Sequence, residues 1–383
     1  MMQIKTVPSV EALYIHIPFC MKKCNYCDFL SFPHNHDTEE SMELYISALI
    51  NETELVKKQF SISAKTIFIG GGTPSCLPEH LLQILLEAIY RYFVTDALQE
   101  YTIELNPGTI TWEKLQLMRN YGINRLSIGV QSDTVEQLKL LGRIHSFSEA
   151  QETVQMARRL GFKNINLDFM YGIPGQTLDM WRDTLQAALE LNPEHLSLYQ
   201  LKIEENTVFA QWMQDGVIQE FDDEMALDMY RLAQSILTAN GYGQYEISNY
   251  AKKGGECRHN TNIWRGGLLT GIGPAAAGFD GRRRIIQQES LQAWLENAAP
   301  ETDELPVDER LNEIFAINLR TVRGWTPALW AQVPHADPWG SRLKIISEAV
   351  AETSPTFFDI SPDRITLSPD GLLFWNTIAE SLI

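Results

Sequence analysis

The strongest constraint on the fold is a repeated alternation of short apolar runs with longer amphipathic runs between residues 12 and 201. Six short runs have the length and composition of β-strands, namely residues 12–17, 66–69, 101–104, 125–130, 164–170 and 195–201. Helical patterns separate them, over residues 39–59, 79–92, 111–121, 148–160 and 178–191. Strands that alternate with helices predict βα units joined in a parallel sheet. Six strands are fewer than a closed barrel needs, so we expect a partial, laterally open (β/α)6 barrel.

Glycine and polar residues collect where the predicted strands end. They are Gly71, Gly72 and Thr73 after the second strand, Glu104 at the end of the third, Gln131 and then Arg143 after the fourth, and Asp168 within the fifth. The carboxyl ends of parallel strands meet at one edge of a barrel, where active sites form. The glycine run lacks the Gly-Lys-Ser/Thr ending of a phosphate-binding loop, but it allows a ligand to approach the backbone closely. These residues are therefore predicted to line one pocket.

Three cysteines stand close together after the first predicted strand. Cys20, Cys24 and Cys27 have the spacing C-x3-C-x2-C, while Cys76 and Cys257 lie far away in the sequence. Cysteine thiolates are the usual ligands of iron–sulfur clusters, and a [4Fe–4S] cluster normally takes four of them. Three protein ligands leave one metal position open, and an open position is where metal chemistry takes place. The motif therefore predicts a reactive [4Fe–4S] cluster.

Two other uses of these cysteines fit the sequence less well. A zinc site normally shows two C-x2-C pairs, or one such pair followed by two histidines, and neither follows here. A disulfide framework is typical of short secreted chains, whereas this chain has 383 residues and 5 cysteines.

Charge and hydropathy restrict the partners. Asp and Glu outnumber Lys and Arg by 49 to 31, which gives a net charge of −18. This balance opposes non-specific binding to nucleic acid or to anionic lipid. No segment approaches the roughly 20 apolar residues of a membrane span, and residues 1–13 lack the apolar run of a secretory signal. We therefore expect a cytoplasmic protein with no membrane span and no nucleic-acid partner.

The length of the chain predicts a large domain and a smaller one. We divide it into a core over residues 1–250, a connecting segment over 251–300 and a C-terminal domain over 301–383. The last part contains a helix-like run, VDERLNEIFAINLRTV, then a strand, a turn at Pro369-Asp370-Gly371 and a final helix. This pattern predicts a small winged-helix-like α+β domain. Its few basic residues favour a lid or an interaction module over DNA binding.

Motifs throughout the chain are similar to those of a known family. The cysteine motif after the first strand and GGTP after the second resemble the radical S-adenosylmethionine (SAM) superfamily. YIHIPFC, FIGGGTPS, NINLDFMYGIPGQT and YEISNYAKKGGECRHN, in this order, resemble the oxygen-independent coproporphyrinogen III oxidase group. In the superfamily the cluster donates one electron to SAM, which is cleaved to methionine and a 5′-deoxyadenosyl radical. The resemblance implies SAM as a second cofactor and an electron-donor protein as a partner.

The resemblance also implies roles for individual residues. By it, Cys20, Cys24 and Cys27 hold the cluster. The positions that align with the SAM-binding residues of the family are Tyr14, Gly71, Gly72, Thr73, Glu104, Gln131, Arg143 and Asp168.

One position separates two functions within this group. The oxidases carry a further cysteine two residues after the third ligand, and Phe29 stands there in this chain. The pair Asp28-Phe29, the CRHN motif at residues 257–260 and the lack of a long N-terminal extension resemble the HemW-type haem chaperones. This resemblance implies a protein that binds haem and delivers it to haem-requiring proteins, including membrane enzymes, without oxidising coproporphyrinogen.

The segment that begins at CRHN differs from the chaperone pattern at two positions. The family pattern H-N-x-x-Y-W is HNTNIW here, so Ile263 replaces the tyrosine, and Ala277 replaces a histidine further along. Haem iron is commonly held by His, Cys, Met or Tyr. The candidate haem ligands that remain in this segment are Cys257 and His259.

Three alternatives to the haem chaperone stay open at this point. One is a radical SAM enzyme that acts on a porphyrinogen, as coproporphyrinogen III oxidase does, although Phe29 counts against it. The second is a related protein that has lost both activities, and the third is a structural zinc protein. Both an enzyme and a binding protein are therefore compatible with the retained radical SAM motifs.

Overall fold

The computed structural model describes residues 9–33, 39–59 and 61–383. Residues 1–8 lie outside the described residues. They begin the segment, residues 1–13, in which we predict no secretory signal. The strands in chain order are β1 (Ser9–Ile17), β2 (Phe19–Cys20), β3 (Phe32–Pro33), β4 (Ser61–Gly71), β5 (Glu100–Leu105), β6 (Arg125–Gln131), β7 (Ile165–Tyr171), β8 (His195–Gln200), β9 (Gly243–Gln244), β10 (Asn249–Ala251), β11 (Leu269–Ile272), β12 (Ala277–Phe279), β13 (Arg283–Ile286), β14 (Glu301–Glu304), β15 (Phe358–Ser361) and β16 (Arg364–Leu367).

The α-helices of the described residues connect and follow these strands. They are α1 (Glu39–Gln59), α2 (Glu79–Phe93), α3 (Trp112–Asn120), α4 (Val135–Leu140), α5 (Phe147–Arg159), α6 (Leu178–Glu190), α7 (Val208–Gln214), α8 (Asp223–Ala239), α9 (Arg258–Trp264), α10 (Leu291–Leu295), α11 (Val307–Asn318), α12 (Pro327–Trp330), α13 (Trp339–Glu352), α14 (Pro369–Leu373) and α15 (Trp375–Glu380).

Within the described residues, a 12-stranded sheet has the order β14-β13-β12-β11-β1-β4-β5-β6-β7-β8-β10-β9. Its centre consists of six parallel strands, β1, β4, β5, β6, β7 and β8, each paired with the next. These are the six strands that the sequence predicts. The outermost strands, β14 and β9, are not neighbours in the described sheet, so it does not close on itself. The structure confirms the laterally open (β/α)6 barrel.

Helices cover one face of the parallel strands. The predicted helical segments correspond to α1, α2, α3, α5 and α6. Local capping defines their starts, because the Thr111 hydroxyl accepts a backbone N–H of α3, and Ser146 and Glu149 form a capping box at α5. Leu82 of α2 and Ile67 of β4 are fully buried in the same core. Burial of one such side chain stabilises the fold by ~1.5–3 kcal/mol.

The other face of the parallel strands is polar, whereas branched apolar residues fill most barrels. Side chains alternate between the two faces of a strand. On β5, Glu100, Thr102 and Glu104 alternate with Tyr101 and Ile103, which belong to the hydrophobic core. The same alternation places polar residues on the neighbouring strands, namely Arg125 and Ser127 on β6, Asn166 and Asp168 on β7, and His195 and Ser197 on β8. The interior of the open barrel is therefore lined by polar groups.

Additional strands extend the sheet on both sides, which the sequence did not predict. Strand β11 lies parallel to β1, and β12, β13 and β14 continue in antiparallel pairs. At the other side β10 and β9 are antiparallel to their neighbours. Helix α9, which contains most of the CRHN motif, contacts β4 and α11.

The C-terminal helices and the β15–β16 hairpin form a second hydrophobic core. Trp325 and Trp330 are fully buried there, with their ring planes perpendicular and their centroids 5.0 Å apart. Phe315 packs edge-to-face against Trp330. This arrangement of helices around one hairpin confirms the winged-helix-like α+β fold. The division of the chain at residues 250 and 300 stays a prediction.

None of the helices in the described part of the chain combines the length and the apolar character needed to cross a membrane.

Candidate functional site

The cysteine loop, which we define as residues 20–30, follows β1 and is anchored from both sides. Its three cysteines are free thiols and half-buried. In the middle of the loop, Asn25 donates its backbone N–H to the carbonyl of Leu141 (3.0 Å) and its side-chain amide to the carbonyl of Leu140 (2.8 Å). The Asn25 carbonyl accepts a hydrogen bond from the backbone N–H of Phe209 (2.9 Å). These bonds hold the loop at the carboxyl edge of the barrel.

The environment of the thiols disfavours free thiolates. Burial raises the pKa of Cys20, and it raises the pKa of Cys27 to about 11, with Cys24 and Cys20 adding to the shift of Cys27. Arg143 brings one positive charge to the loop, because its Nη1 lies 3.5 Å from Sγ of Cys24. Buried thiolates need a compensating cation, and a bound metal provides it. The donor set and its surroundings therefore fit a [4Fe–4S] cluster held by three cysteines.

The glycine loop, residues 70–73, lies directly against the cysteine loop. Gly72 donates its backbone N–H to the carbonyl of Ile17 (2.8 Å), and Thr73 donates its own to the carbonyl of Phe19 (2.7 Å). A Cβ atom at Gly72 would lie 2.6 Å from the Phe19 carbonyl oxygen and 3.0 Å from Sγ of Cys20. Any larger residue at Gly72 would therefore push the two loops apart.

Two carboxyl groups lie in the barrel interior, Glu104 on β5 beside the glycine loop and Asp168 on β7. Oε2 of Glu104 accepts a hydrogen bond from the backbone N–H of Gly71 (3.1 Å). Burial, reinforced by the charge of Asp168, raises the pKa of Glu104 to about 8. Asp168 accepts hydrogen bonds from the Asn166 amide (2.8 Å) and the Ser127 hydroxyl (3.3 Å), while burial raises its pKa. Carboxyl groups with raised pKa values that face a cleft are frequent at binding and catalytic sites.

The remaining predicted positions complete the same site. Gln131 ends β6 in a left-handed conformation with φ of 69°. A Cβ atom at Gly129 would lie 3.1 Å from Nε2 of Gln131 and 3.3 Å from Nη2 of Arg143, so both side chains pack over that glycine. Tyr14 lies on β1, with its hydroxyl 3.0 Å from Nδ1 of His16. Of the predicted SAM-binding positions, Gly72, Thr73 and Arg143 thus lie against the cysteine loop. The part of all these positions in SAM binding stays a prediction.

Cys257 and His259 lie apart from this site, at the start of α9. The backbone N–H groups of Arg258 and His259 each donate to the carboxylate of Glu100 at 2.9 Å, and Sγ of Cys257 lies 3.5 Å from the same group. His259 is 2% exposed, its Nδ1 lies 3.1 Å from the Thr66 hydroxyl, and burial lowers its pKa to about 3. Both predicted haem ligands are therefore enclosed between α9 and the sheet.

A buried polar network that the sequence did not reveal joins α9 to the barrel interior. The Tyr245 hydroxyl accepts the backbone N–H of Cys257 (3.2 Å) and lies 2.7 Å from Nε2 of His195. Nδ1 of His195 lies 2.5 Å from the Asn166 side-chain oxygen. The sequence feature that could have indicated this network is a polar residue at every second position of an otherwise apolar strand, as in EYTIE at residues 100–104.

Comparison with known proteins gives relatives along most of the chain. Residues 14–188 match the radical SAM superfamily. Heme chaperone HemW of Bacillus subtilis is 35% identical over 331 residues, which cover 84% of this chain and 86% of that protein. Heme chaperone HemW of Escherichia coli is 44% identical over 268 residues, or 70% of this chain and 69% of that protein. The Synechocystis protein of the same name is 33% identical, covering 97% of this chain and 96% of its own length.

A solved structure shares the fold over nearly the whole chain. Coproporphyrinogen III oxidase (HemN) from Escherichia coli, a radical SAM enzyme, aligns with a TM-score of 0.84 over 99% of this chain and 91% of that chain. The two sequences are 22% identical in this alignment. At this identity the likeness shows a common fold and leaves the activity to be argued from the site.

Proposed function

This chain belongs to the HemW family of the radical SAM superfamily, and from that premise we propose that it is a haem chaperone that carries a [4Fe–4S] cluster and SAM. The main support for this proposal is the arrangement of the three half-buried cysteines, which lie beside the Arg143 guanidinium and against the glycine loop. Haem-accepting proteins, including proteins at a membrane, are the proposed partners, together with a protein that supplies electrons.

In this proposal Cys20, Cys24 and Cys27 hold the cluster. When bound, the cluster supplies one electron for the reductive cleavage of SAM. Asn25 keeps the three thiols in position through its hydrogen bonds to the carbonyls of Leu140 and Leu141. Arg143 donates to the Gly129 carbonyl (2.7 Å) and so holds its positive charge beside Cys24. A fixed charge at this position adjusts the reduction potential of a cluster.

The chain offers SAM a combination of backbone and carboxyl groups. SAM carries a positive sulfonium and an ammonium group, and Glu104 and Asp168 provide the complementary negative charge. Binding of a cation would favour the ionised carboxylates and offset the cost of burying them. Gly72 has no side chain, so no side chain separates the glycine loop from the cysteine loop at this position. A small molecule can therefore approach the backbone there.

Haem delivery is supported by the chaperone relatives rather than by an accessible ligand. Ile263, 37% exposed, and Ala277, which is exposed on β12, stand where the family pattern has a tyrosine and a histidine. This chain therefore has no haem-ligating side chain at these two surface positions. Cys257 and His259 can reach haem only if the first turn of α9 separates from Glu100, and we propose that haem contacts this helix.

The alternative is a radical enzyme that acts on a porphyrinogen. Phe29 lies within the cysteine loop and is 67% exposed, so its position is accessible, but a phenyl ring has no titratable or redox-active group. For this reason we favour binding and transfer of haem over oxidation of coproporphyrinogen.

The test is reconstitution under anaerobic conditions followed by three measurements. We expect about four iron atoms per chain, a change in the electron paramagnetic resonance spectrum of the reduced cluster on addition of SAM, and a saturable Soret change on titration with haemin. Haem-loaded protein should then transfer haem to apomyoglobin, used as a generic acceptor. The control replaces Cys20, Cys24 and Cys27 with serine, which should abolish the cluster signal and the SAM effect. Porphyrinogen decarboxylation without haem binding would overturn the chaperone in favour of the enzyme.

A further inference from the structure

A continuous row of hydrogen bonds crosses the barrel interior from the start of α9 to β7. Its members in order are Cys257, Tyr245, His195, Asn166 and Asp168, and the four contacts measure 3.2, 2.7, 2.5 and 2.8 Å. The first four residues are buried, whereas Asp168 is half-buried. Asp168 is therefore the member of this hydrogen-bond row that a small molecule in the barrel can reach.

The direction of the row is fixed from the Cys257 end. The group there is a backbone N–H, which can only donate, so the Tyr245 hydroxyl accepts it and keeps its own proton for His195. Burial, and then the charge of Arg125, lower the pKa of His195 well below its ordinary value, so the ring is neutral near pH 7 and has one N–H. Nε2 accepts the proton of Tyr245, and the N–H of the ring is therefore at Nδ1, towards Asn166.

The Asp168 end requires the same direction. The Asn166 amide group donates to Oδ1 of Asp168 (2.8 Å) and to the hydroxyl oxygen of Ser127 (2.8 Å), and that hydroxyl donates to Oδ2 of Asp168 (3.3 Å). The Asn166 oxygen therefore lies on the other side, where it accepts from His195 and from the Ser197 hydroxyl (3.1 Å). Both ends of the row thus select one arrangement of hydrogens.

This arrangement determines the state of the Asp168 carboxyl group. The group receives one hydrogen bond on each oxygen, and such bonds favour the ionised form against the effect of burial. If the Asn166 amide turned over, its oxygen would face the carboxylate, and one of these bonds would be lost. The Nδ1–H of His195 opposes this turn because it needs the Asn166 oxygen as its acceptor.

We propose that Asn166, His195 and Tyr245 are positioning residues for SAM binding, which keep the Asp168 carboxylate ionised and in one orientation for the positive groups of SAM. The inference rests on the proposed function and deepens it. It also gives the attachment of α9 a part in the SAM site, because the backbone N–H of Cys257 sets the direction of the row.

The experiment measures the Kd of SAM by equilibrium dialysis with anaerobically reconstituted protein at pH 6 and pH 9. His195→Leu removes the N–H that orients Asn166, and His195→Asn keeps an N–H donor near the position of Nδ1. Tyr245→Phe removes the hydroxyl that fixes the protonated nitrogen of His195. Loss of one charge-assisted hydrogen bond corresponds to about a tenfold weaker Kd. At pH 6 we expect about this loss for His195→Leu, a smaller one for Tyr245→Phe and nearly wild-type binding for His195→Asn.

The pH dependence separates positioning from support of the fold. Without the bond from Asn166 the pKa of Asp168 rises further, so more of the variant is protonated at pH 6 and offers SAM less negative charge. At pH 9 the carboxyl group is ionised in every protein, and the ratio of each Kd to that of the wild type should approach one. The ionisable groups around Asp168, namely Glu104, Arg125 and Tyr199, are the same in all these proteins, as is the ammonium group of SAM, so their titration cancels in the ratio.

The direction of the row has a separate test in the cluster-free protein. With ¹⁵N-labelled histidine, nuclear magnetic resonance should show a neutral ring with its proton on Nδ1, and this signal should be missing from His195→Asn. A His195 ring with its proton on Nε2 overturns the proposed direction.

Tyr90→Phe serves as the matched control, because it removes the same hydroxyl from an exposed position of α2. It should bind SAM as the wild type does at both pH values. Circular dichroism and iron analysis establish that each variant is folded and loaded, and Tyr245→Phe decides the outcome if His195→Leu does not fold. A ratio of Kd values that is the same at pH 6 and pH 9 overturns the positioning role and leaves SAM binding standing. If the wild type itself does not bind SAM, the proposed function fails and this inference fails with it.

Discussion

The imidazole of His16 connects strand β1 to the far end of the cysteine loop, because its Nε2 lies 3.0 Å from the carbonyl oxygen of Leu30. Its Nδ1 lies 3.0 Å from the Tyr14 hydroxyl. Burial lowers the pKa of His16, so the ring is neutral near pH 7 and has one N–H. If Nε2–H donates to the Leu30 carbonyl, then Nδ1 accepts from the Tyr14 hydroxyl. His16 then joins Tyr14, a predicted SAM residue, to the cysteine loop.

Replacement of His16 should therefore loosen the cluster. In His16→Ala the Leu30 carbonyl loses its partner, and the ring that packs against Gly71 is removed. We expect iron to be released from the reconstituted protein at least several-fold faster in the presence of EDTA, measured as iron per chain over time. His80→Ala, at an exposed position of α2, should behave like wild type. Equal release rates for all three proteins would show that this contact does not hold the loop.

The sequence predicted the strands and helices that are determined by residues close together in the chain. Each of the six parallel strands appears within a few residues of its predicted bounds, except that β4 begins at Ser61 rather than at residue 66. Thr111 caps α3, and Gly122 and Gly161 follow α3 and α5 with φ of 88° and 83°. Hydrophobic period and capping chemistry suffice for such elements because neighbouring residues determine both.

Other features could not be predicted because they depend on partners distant in sequence. Cys257 and His259 belong to a polar motif, and their burial results from contacts with Glu100 and Thr66, more than 150 residues earlier. Likewise, β12 to β14 are short, and they belong to the large sheet through β11, which pairs with the distant strand β1. Neither result follows from local propensity, since tertiary contacts override it.

The close packing of the glycine loop gives a second prediction. In Gly72→Ala the added Cβ would lie 2.6 Å from the Phe19 carbonyl oxygen, so the backbone must shift. We expect a loss of stability of about 1–3 kcal/mol and a reduced iron content after reconstitution, measured by urea unfolding and iron analysis. Gly340→Ala is the matched control, because its Cβ meets nothing within 4 Å. If Gly72→Ala retained full iron content and stability, the close contact between the loops would be refuted.

Glu100 should be critical for the attachment of α9. Glu100 is 3% exposed, and its carboxylate accepts the backbone N–H groups of both Arg258 and His259. Glu100→Ala leaves two N–H groups without this partner in a buried region, which predicts a loss of about 3 kcal/mol or more in the free energy of unfolding. Glu100→Gln keeps one acceptor oxygen and should lose less, and Glu113→Ala, at an exposed position of α3, should lose almost nothing. Urea unfolding of the three variants checks this order, and equal losses for Glu100→Ala and Glu113→Ala would contradict it.

Glu104 gives a prediction about pH. Its pKa is about 8 in the folded protein against an ordinary value of 4.5, because of burial and then the nearby charge of Asp168. Between these two values the folded state binds more protons than the unfolded state, so the contribution of Glu104 to stability decreases as pH rises. Glu104→Gln cannot ionise and avoids this loss. From pH 5 to pH 8, the free energy of unfolding of the cluster-free variant should therefore rise relative to that of the wild type by at least about 1 kcal/mol. This value is a lower bound, since it corresponds to a pKa shift of less than one unit. The buried histidines titrate in both proteins and cancel in the difference. Urea unfolding at both pH values, with Glu113→Gln as control, makes the measurement, and parallel pH profiles for wild type and Glu104→Gln would show that this carboxyl group titrates normally.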